Sequence, residues 1–174
     1  MARQRARPRF DPYAILKAVE GERVDYVIVG AFARVLVGAE ELTHGIDLTP
    51  STHPENLRRL DVALEEINAR RASGGEPAVE ATDYEREPVV ELETDHGLVT
   101  IVPYPEGTRG YDDLRRAAER LPIGQGLRPS VASPGDLARM LHGLGRDEDI
   151  PKLSMMRRLI ELERGLHRGL SIEL

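Results

Sequence analysis

Asp47 is the residue of this chain best placed to do chemistry. It stands in Ile46-Asp47-Leu48-Thr49, an apolar stretch that reads as a strand stopped by Pro50. A carboxylate there is a hard oxygen ligand of the kind that suits Mg²⁺. Upstream, Val27-Ile28-Val29 runs into Gly30 and Ala31. A helix that begins at a small-residue turn after a buried strand leaves backbone N–H groups free, and these receive phosphate oxygens well. A strand carboxylate and a helix start with free N–H groups are therefore the features on which chemistry could rest. The plainer alternatives are a strand-end carboxylate facing water and small residues that let a helix pack on a strand.

Other chemistries have less support. The chain has no cysteine, so disulfides, thiolate metal sites and thiol catalysis are excluded. No Gly-x-Ser-x-Gly or P-loop sequence is present. His44 and His53 form no helical His-x-x-x-His pair, and they read as solvated loop residues. Arg146 and Asp149, three apart, read as a local ion pair on a helix.

The elements that must hold Asp47 and Gly30 follow from periodicity. Residues 11–20 carry Ile15, Leu16 and Val19 at helical spacing, and residues 24–29 form a β-branched run with little alternation, as a strand covered on both faces does. A helix over 31–37 and a strand over 46–49 come next. Pro54 opens a helix with Leu57, Leu60, Leu64 and Ile67 on one stripe, capped by Ser51, Thr52 or His53. Residues 72–77 read as a Gly-rich loop. Strands over 89–94 and 98–102 flank Asp95-His96-Gly97 as a hairpin. Residues 111–120 are expected to be helical, and 127–132 a last edge strand, because Pro129 fits poorly inside a sheet. Ser133 as cap and Pro134 at the first helical position open a helical segment over 133–174 that Pro151 divides in two.

Strands interleaved with helices place the chain in the α+β class, as a mixed sheet flanked by helices with a helical C-terminal segment. At 174 residues and 40% hydrophobic, one domain over 11–174 is expected, preceded by a basic, flexible arm over 1–10. Arg3, Arg5, Arg7 and Arg9 give that arm its charge. The formal net charge of -6 argues against a general nucleic-acid surface, which leaves the arm as the one segment suited to nucleic acid or an acidic partner. With no apolar run of membrane-spanning length and no secretory leader pattern, the expected location is the cytoplasm.

The order of several short motifs resembles the nucleotidyltransferase-fold superfamily, especially its small bacterial members related to abortive-infection and MNT-type toxins. Gly30-Ala31-Phe32-Ala33 corresponds to the family's Gly-Gly-x-Ala, and Thr43-His44-Gly45-Ile46-Asp47 to its Thr-x-Asp-x-Asp. Asn56-Leu57 with Leu60, Thr94 to Thr100, Tyr111 to Leu114, and Ser133 to Arg146 with Asp149 match later family patterns, so the likeness spans most of the chain. It implies a nucleotide held near Gly30, Ala31 and Thr43, and Mg²⁺ held by three carboxylates that support a two-metal transfer.

Measured against that pattern, only Asp47 remains as a catalytic carboxylate. Gly45 stands where the first aspartate would be and Thr100 where the third would be. Glu41 replaces an arginine, Val37 a histidine and Leu141 a lysine. The resemblance therefore implies a retained fold with a dismantled site: a pseudo-enzyme with a binding or regulatory role, of a toxin–antitoxin kind. Two rivals stay open. One is an active Mg²⁺-dependent enzyme using Asp47 with Glu93 or Glu41, where a two-residue turn at His96 and Gly97 would set Glu93 opposite Thr100 and a three-residue turn would send it to the other face. The other is an interaction module without a nucleotide. Either could bind a protein partner or form a homodimer through apolar residues of the C-terminal helices.

Overall fold

The computed structural model describes residues 7–74 and 87–170. Arg3 and Arg5 of the arm, the end of the Gly-rich loop and residues 171–174 lie outside the described residues. The sequence reading of a mixed sheet flanked by helices, with a helical C-terminal segment, holds.

The first helix, α1 (Pro12–Gly21), is opened by Asp11, whose carboxylate accepts a hydrogen bond from the Ala14 backbone N–H at 3.2 Å. It buries Ile15, Leu16 and Val19, the stripe that its periodicity marks. β1 (Tyr26–Val29) is buried along its whole length. α2 (Gly30–Leu36) follows without a loop, and β2 (Gly45–Pro50) returns antiparallel to β1 with Asp47 opposite Val29. α3 (Pro54–Glu66) buries Leu57, Leu60 and Leu64; His53 stands at its cap position but makes no side-chain capping bond.

Next come the short strand β3 (Arg70–Arg71) and the hairpin β4 (Val90–Thr94) and β5 (Gly97–Ile101). Among the described residues, a seven-stranded sheet runs β3-β4-β5-β2-β1-β7-β6, with β2–β5 and β1–β7 parallel and the other pairs antiparallel. β5 thus brings the hairpin against β2, where it faces Asp47.

Two expectations fail in the next stretch. The helix expected over 111–120 is only α4 (Tyr111–Leu114), because residues 119–120 are drawn into β6 (Glu119–Arg120). Pairing with β7 (Ser130–Val131) and an ion pair from Arg120 to Glu20 at 3.1 Å outweigh local helix propensity there. β7 in turn is not an edge strand, since β6 covers it; Pro129 falls just outside, where its carbonyl accepts from the Leu121 N–H.

The C-terminal segment is helical as expected, but Gly145 divides it and Pro151 does not: Pro151 lies in the first turn of the second helix, where its missing N–H has no intrahelical partner to lose. Ser133 caps α5 (Pro134–Leu144) by accepting from the Asp136 N–H at 3.1 Å, and Gly145 ends it in the left-handed conformation. A 3₁₀ turn (Asp147–Asp149) leads into α6 (Ile150–Leu170). α5 and α6 pack on one another and α2 packs on β1, β2 and α5. Among the described residues, no helix is long and apolar enough to cross a membrane.

Candidate functional site

Strand alternation sorts the sheet around β2 into two faces. Ile46, Leu48, Val90, Leu92, Val99 and Ile101 are buried on one. The other carries polar and half-open residues in two rows. In the first, Asp47 lies beside Thr100 and Thr100 beside Glu91; in the second, Gly45 lies beside Leu98 and Leu98 beside Glu93.

This register corrects the expectation for Glu93. The tight turn is formed by Asp95 and His96, with Thr94 paired to Gly97, one residue earlier than a turn at His96 and Gly97. Gly97 adopts a φ of +120°, and the Thr94 hydroxyl donates to the Gly97 carbonyl at 2.7 Å while accepting from the His96 N–H at 3.0 Å. Glu93 consequently faces Leu98 and, on its other side, Arg70 of β3. The carboxylate opposite Thr100 is Glu91, which sequence reasoning missed. Its signal was present: Glu91 and Glu93 share one face of β4, so a turn at 95–96 selects the first of the two.

Asp47 is held in a restricted space. Gly30 has a φ of +71°, and a Cβ on it would lie 2.0 Å from the Asp47 Oδ2 atom. Gly30 is thus required both by its backbone and by the carboxylate packed against it. Burial raises the pKa of Asp47; a hydrogen bond from Thr100 and the charge of Arg34 oppose the rise, and Glu91 adds to it. Burial is the largest influence, although the residue is only half-buried by its surface exposure. Ala31 is half-buried in the first turn of α2. Thr43 is turned to its own backbone, donating to the Gly45 carbonyl at 2.9 Å.

Gly45 differs from a position that merely lacks a ligand. A Cβ there would meet the Leu98 carbonyl oxygen at 2.6 Å and the Leu98 Cβ at 2.7 Å. The backbone of β5 fills the room that a side chain would need.

Glu41 is not available to a metal at Asp47. Arg34, itself buried, donates to both Glu41 oxygens at 2.8 and 2.7 Å. This bond holds the Glu41 pKa below the usual range. Lys152 of α6 stands 3.8 Å from Glu41 and 3.4 Å from Asp149, which also accepts from Arg146 at 2.6 Å. The Arg146–Asp149 pair is therefore one end of a network across α2, the segment before β2 and α6. Asp149 is buried in it, so the local pair expected from the sequence is part of a wider network. Leu141 is buried in the core. His44 and His53 are exposed, as the loop reading has it. Among the described residues, no group of three or more His, Asp or Glu could hold a metal ion.

Beside the polar rows lies a groove of about 1130 Å³. Its floor includes Glu91, Glu93, Leu98 and Thr100, and residues 7–10 line one side. That segment is fixed by a hydrogen bond from the Asp11 N–H to the His96 carbonyl at 2.8 Å and by Phe10, whose ring meets Phe32 edge-on with centroids 5.7 Å apart.

No family model and no curated protein matches the chain. A solved structure from Thermotoga maritima, provisionally designated a nucleotidyltransferase, is similar with a TM-score of 0.51 and 21% identity, covering 84% of this chain and 88% of its own. The likeness is one of fold: a mixed sheet flanked by helices is shared with that structure.

Proposed function

We propose that this chain is a nucleotidyltransferase-fold protein that has lost nucleotidyl transfer and acts by binding, in a regulatory role of the toxin–antitoxin kind and in the cytoplasm. The observation that carries the reading is the close approach of β5 to Gly45. A two-metal reaction needs carboxylates that converge on both cations. Here one such position is filled by the Leu98 backbone, a second is the neutral hydroxyl of Thr100, and the remaining carboxylate, Asp47, is packed on Gly30 with its pKa raised by burial. A single carboxylate at this place leaves one ligand where the two-metal reaction needs converging acids. Gly30 and Ala31 then serve to pack α2 on the sheet, with the Asp47 carboxylate occupying the side from which a phosphate would approach.

A second reading has one specific observation in its favour. Glu91, two strands from Asp47 in the same row, is close enough to influence its ionisation, and an active site rearranged around Asp47 and Glu91 would use that pair. One experiment separates the two. Incubation with Mg²⁺ or Mn²⁺, radiolabelled nucleoside triphosphates and RNA or protein acceptors is expected to label nothing. Labelling that is lost in both Asp47→Ala and Glu91→Gln would replace the inactive reading with the rearranged enzyme.

A further inference from the structure

Four arginines alternate through residues 3–9 of a chain whose net charge is -6, and two of them, Arg7 and Arg9, stand exposed along the groove. Asp11 and Phe10 anchor the segment to the hairpin turn and to α2, and Phe10 lies so close to Gly97 that a Cβ there would meet its ring at 2.8 Å. Arg7 and Arg9 become part of one side of the groove, and Arg70 of β3 also lines it. Among the described residues, none of these three arginines makes an ion pair. Glu91 and Glu93, exposed in the same groove, are likewise unpaired. Asp95 is engaged by the Asn68 amide at 2.6 Å.

A groove with unpaired guanidinium groups from its rim and unpaired carboxylates on its floor suits a ligand with both anions and hydrogen-bond donors. Guanidinium groups take phosphates in paired hydrogen bonds. Carboxylates accept from the exocyclic amine of a base such as cytosine, and Leu98, 40% exposed between them, offers an apolar surface. The volume exceeds the roughly 300–1,000 Å³ of ordinary small-molecule pockets, so more than one nucleotide unit fits. A duplex keeps its base amines paired within the helix, whereas a single strand can turn its bases toward the exposed carboxylates.

We infer that this groove binds a short single-stranded nucleic acid, with Arg7, Arg9 and Arg70 on its phosphates and Glu91 and Glu93 on base amines. Phe10 is a positioning residue that fixes the arginines on the rim. The inference rests on the reading of the chain as a binding protein, and it places the ligand beside Asp47 and not on it.

Fluorescence anisotropy with labelled oligo-dC and oligo-dU twelve-mers tests it on the full chain, with CTP as competitor. Oligo-dC is expected to bind more tightly than oligo-dU and far more tightly than CTP. Arg7→Ala with Arg9→Ala should weaken oligo-dC roughly tenfold or more and flatten the slope of log affinity against log salt by about 1.4, as loss of two single-strand phosphate contacts requires. Glu91→Ala with Glu93→Ala should abolish the preference for dC. These side chains are exposed, and unchanged melting temperatures would show that each variant folds. No binding by the wild type, binding indifferent to the arginine pair, or CTP binding as tightly as the oligomer would each overturn the inference. Nucleotide transfer in the labelling experiment would sink the inactive reading and leave this one standing.

Discussion

The two faces of the sheet at β2, β5 and β4 are built on the same strands and behave as opposites. One carries Leu48, Val99, Ile101 and Leu92, each at most 1% exposed, and its side chains are interchangeable in kind because only their volume and apolarity matter. The other carries Asp47, Thr100, Glu91, Leu98 and Gly45, where each residue is fixed by one neighbour: Asp47 by Gly30, Gly45 by the Leu98 backbone. The buried face shows what keeps the sheet together. The open face shows how pairwise contacts, and not bulk apolarity, fix the identity of polar and small residues on the same strands.

The largest effect that tests this contrast lies on the buried face. Leu48→Ala should destabilise the protein by about 2–5 kcal/mol, through lost burial and the cavity left behind. Urea denaturation measures it, and a loss below about 1 kcal/mol would break the comparison at its stronger half.

An intermediate effect is expected where the open face touches α2. Gly30→Ala should cost about 1–3 kcal/mol, since alanine is strained at a φ of +71° and its Cβ collides with Asp47. Combining it with Asp47→Gly should return the steric part, a coupling of about 0.5–3 kcal/mol in a double-mutant cycle. Additive losses would show that Asp47 moves aside freely and is not packed as described.

Smaller still is the effect of Asp47→Asn, which is set by pH. Because burial raises the Asp47 pKa in the folded state, the native protein holds its proton more firmly than the unfolded chain does. Asp47 then costs stability as pH rises through the carboxylate range from its unfolded pKa to its folded one. Asparagine keeps the shape without the charge. The stability of the variant relative to wild type should therefore rise across that range and level off toward neutrality. A difference that stays flat from acid to neutral pH would mean that the Asp47 carboxylate is well solvated.

The sequence made most of the fold legible and only part of the site. Continuous burial in Val27-Ile28-Val29, the leucine stripe from Leu57 to Leu64 and the Ser133-Pro134 start are local patterns whose physics does not depend on distant residues. The failures are all tertiary. Arg120 could not be read as a strand residue without knowing that Glu20 and Ser130 lie beside it. Glu41 reads as a repulsive charge until Arg34, seven residues away, is seen to take both its oxygens. The hairpin turned on a single residue: Asp95-His96 and His96-Gly97 are both plausible two-residue turns by composition, and Gly97 decides between them by pairing with Thr94. That shift exchanges Glu93 for Glu91 opposite Thr100.

The contact between Gly45 and Leu98 also makes position 45 intolerant of change. Any side chain there would require β5 to retreat from β2, and Val99 and Ile101, buried on the other face of the same strand, would be disturbed with it. Glycine at this position is therefore imposed by the neighbouring strand and not by its own backbone conformation.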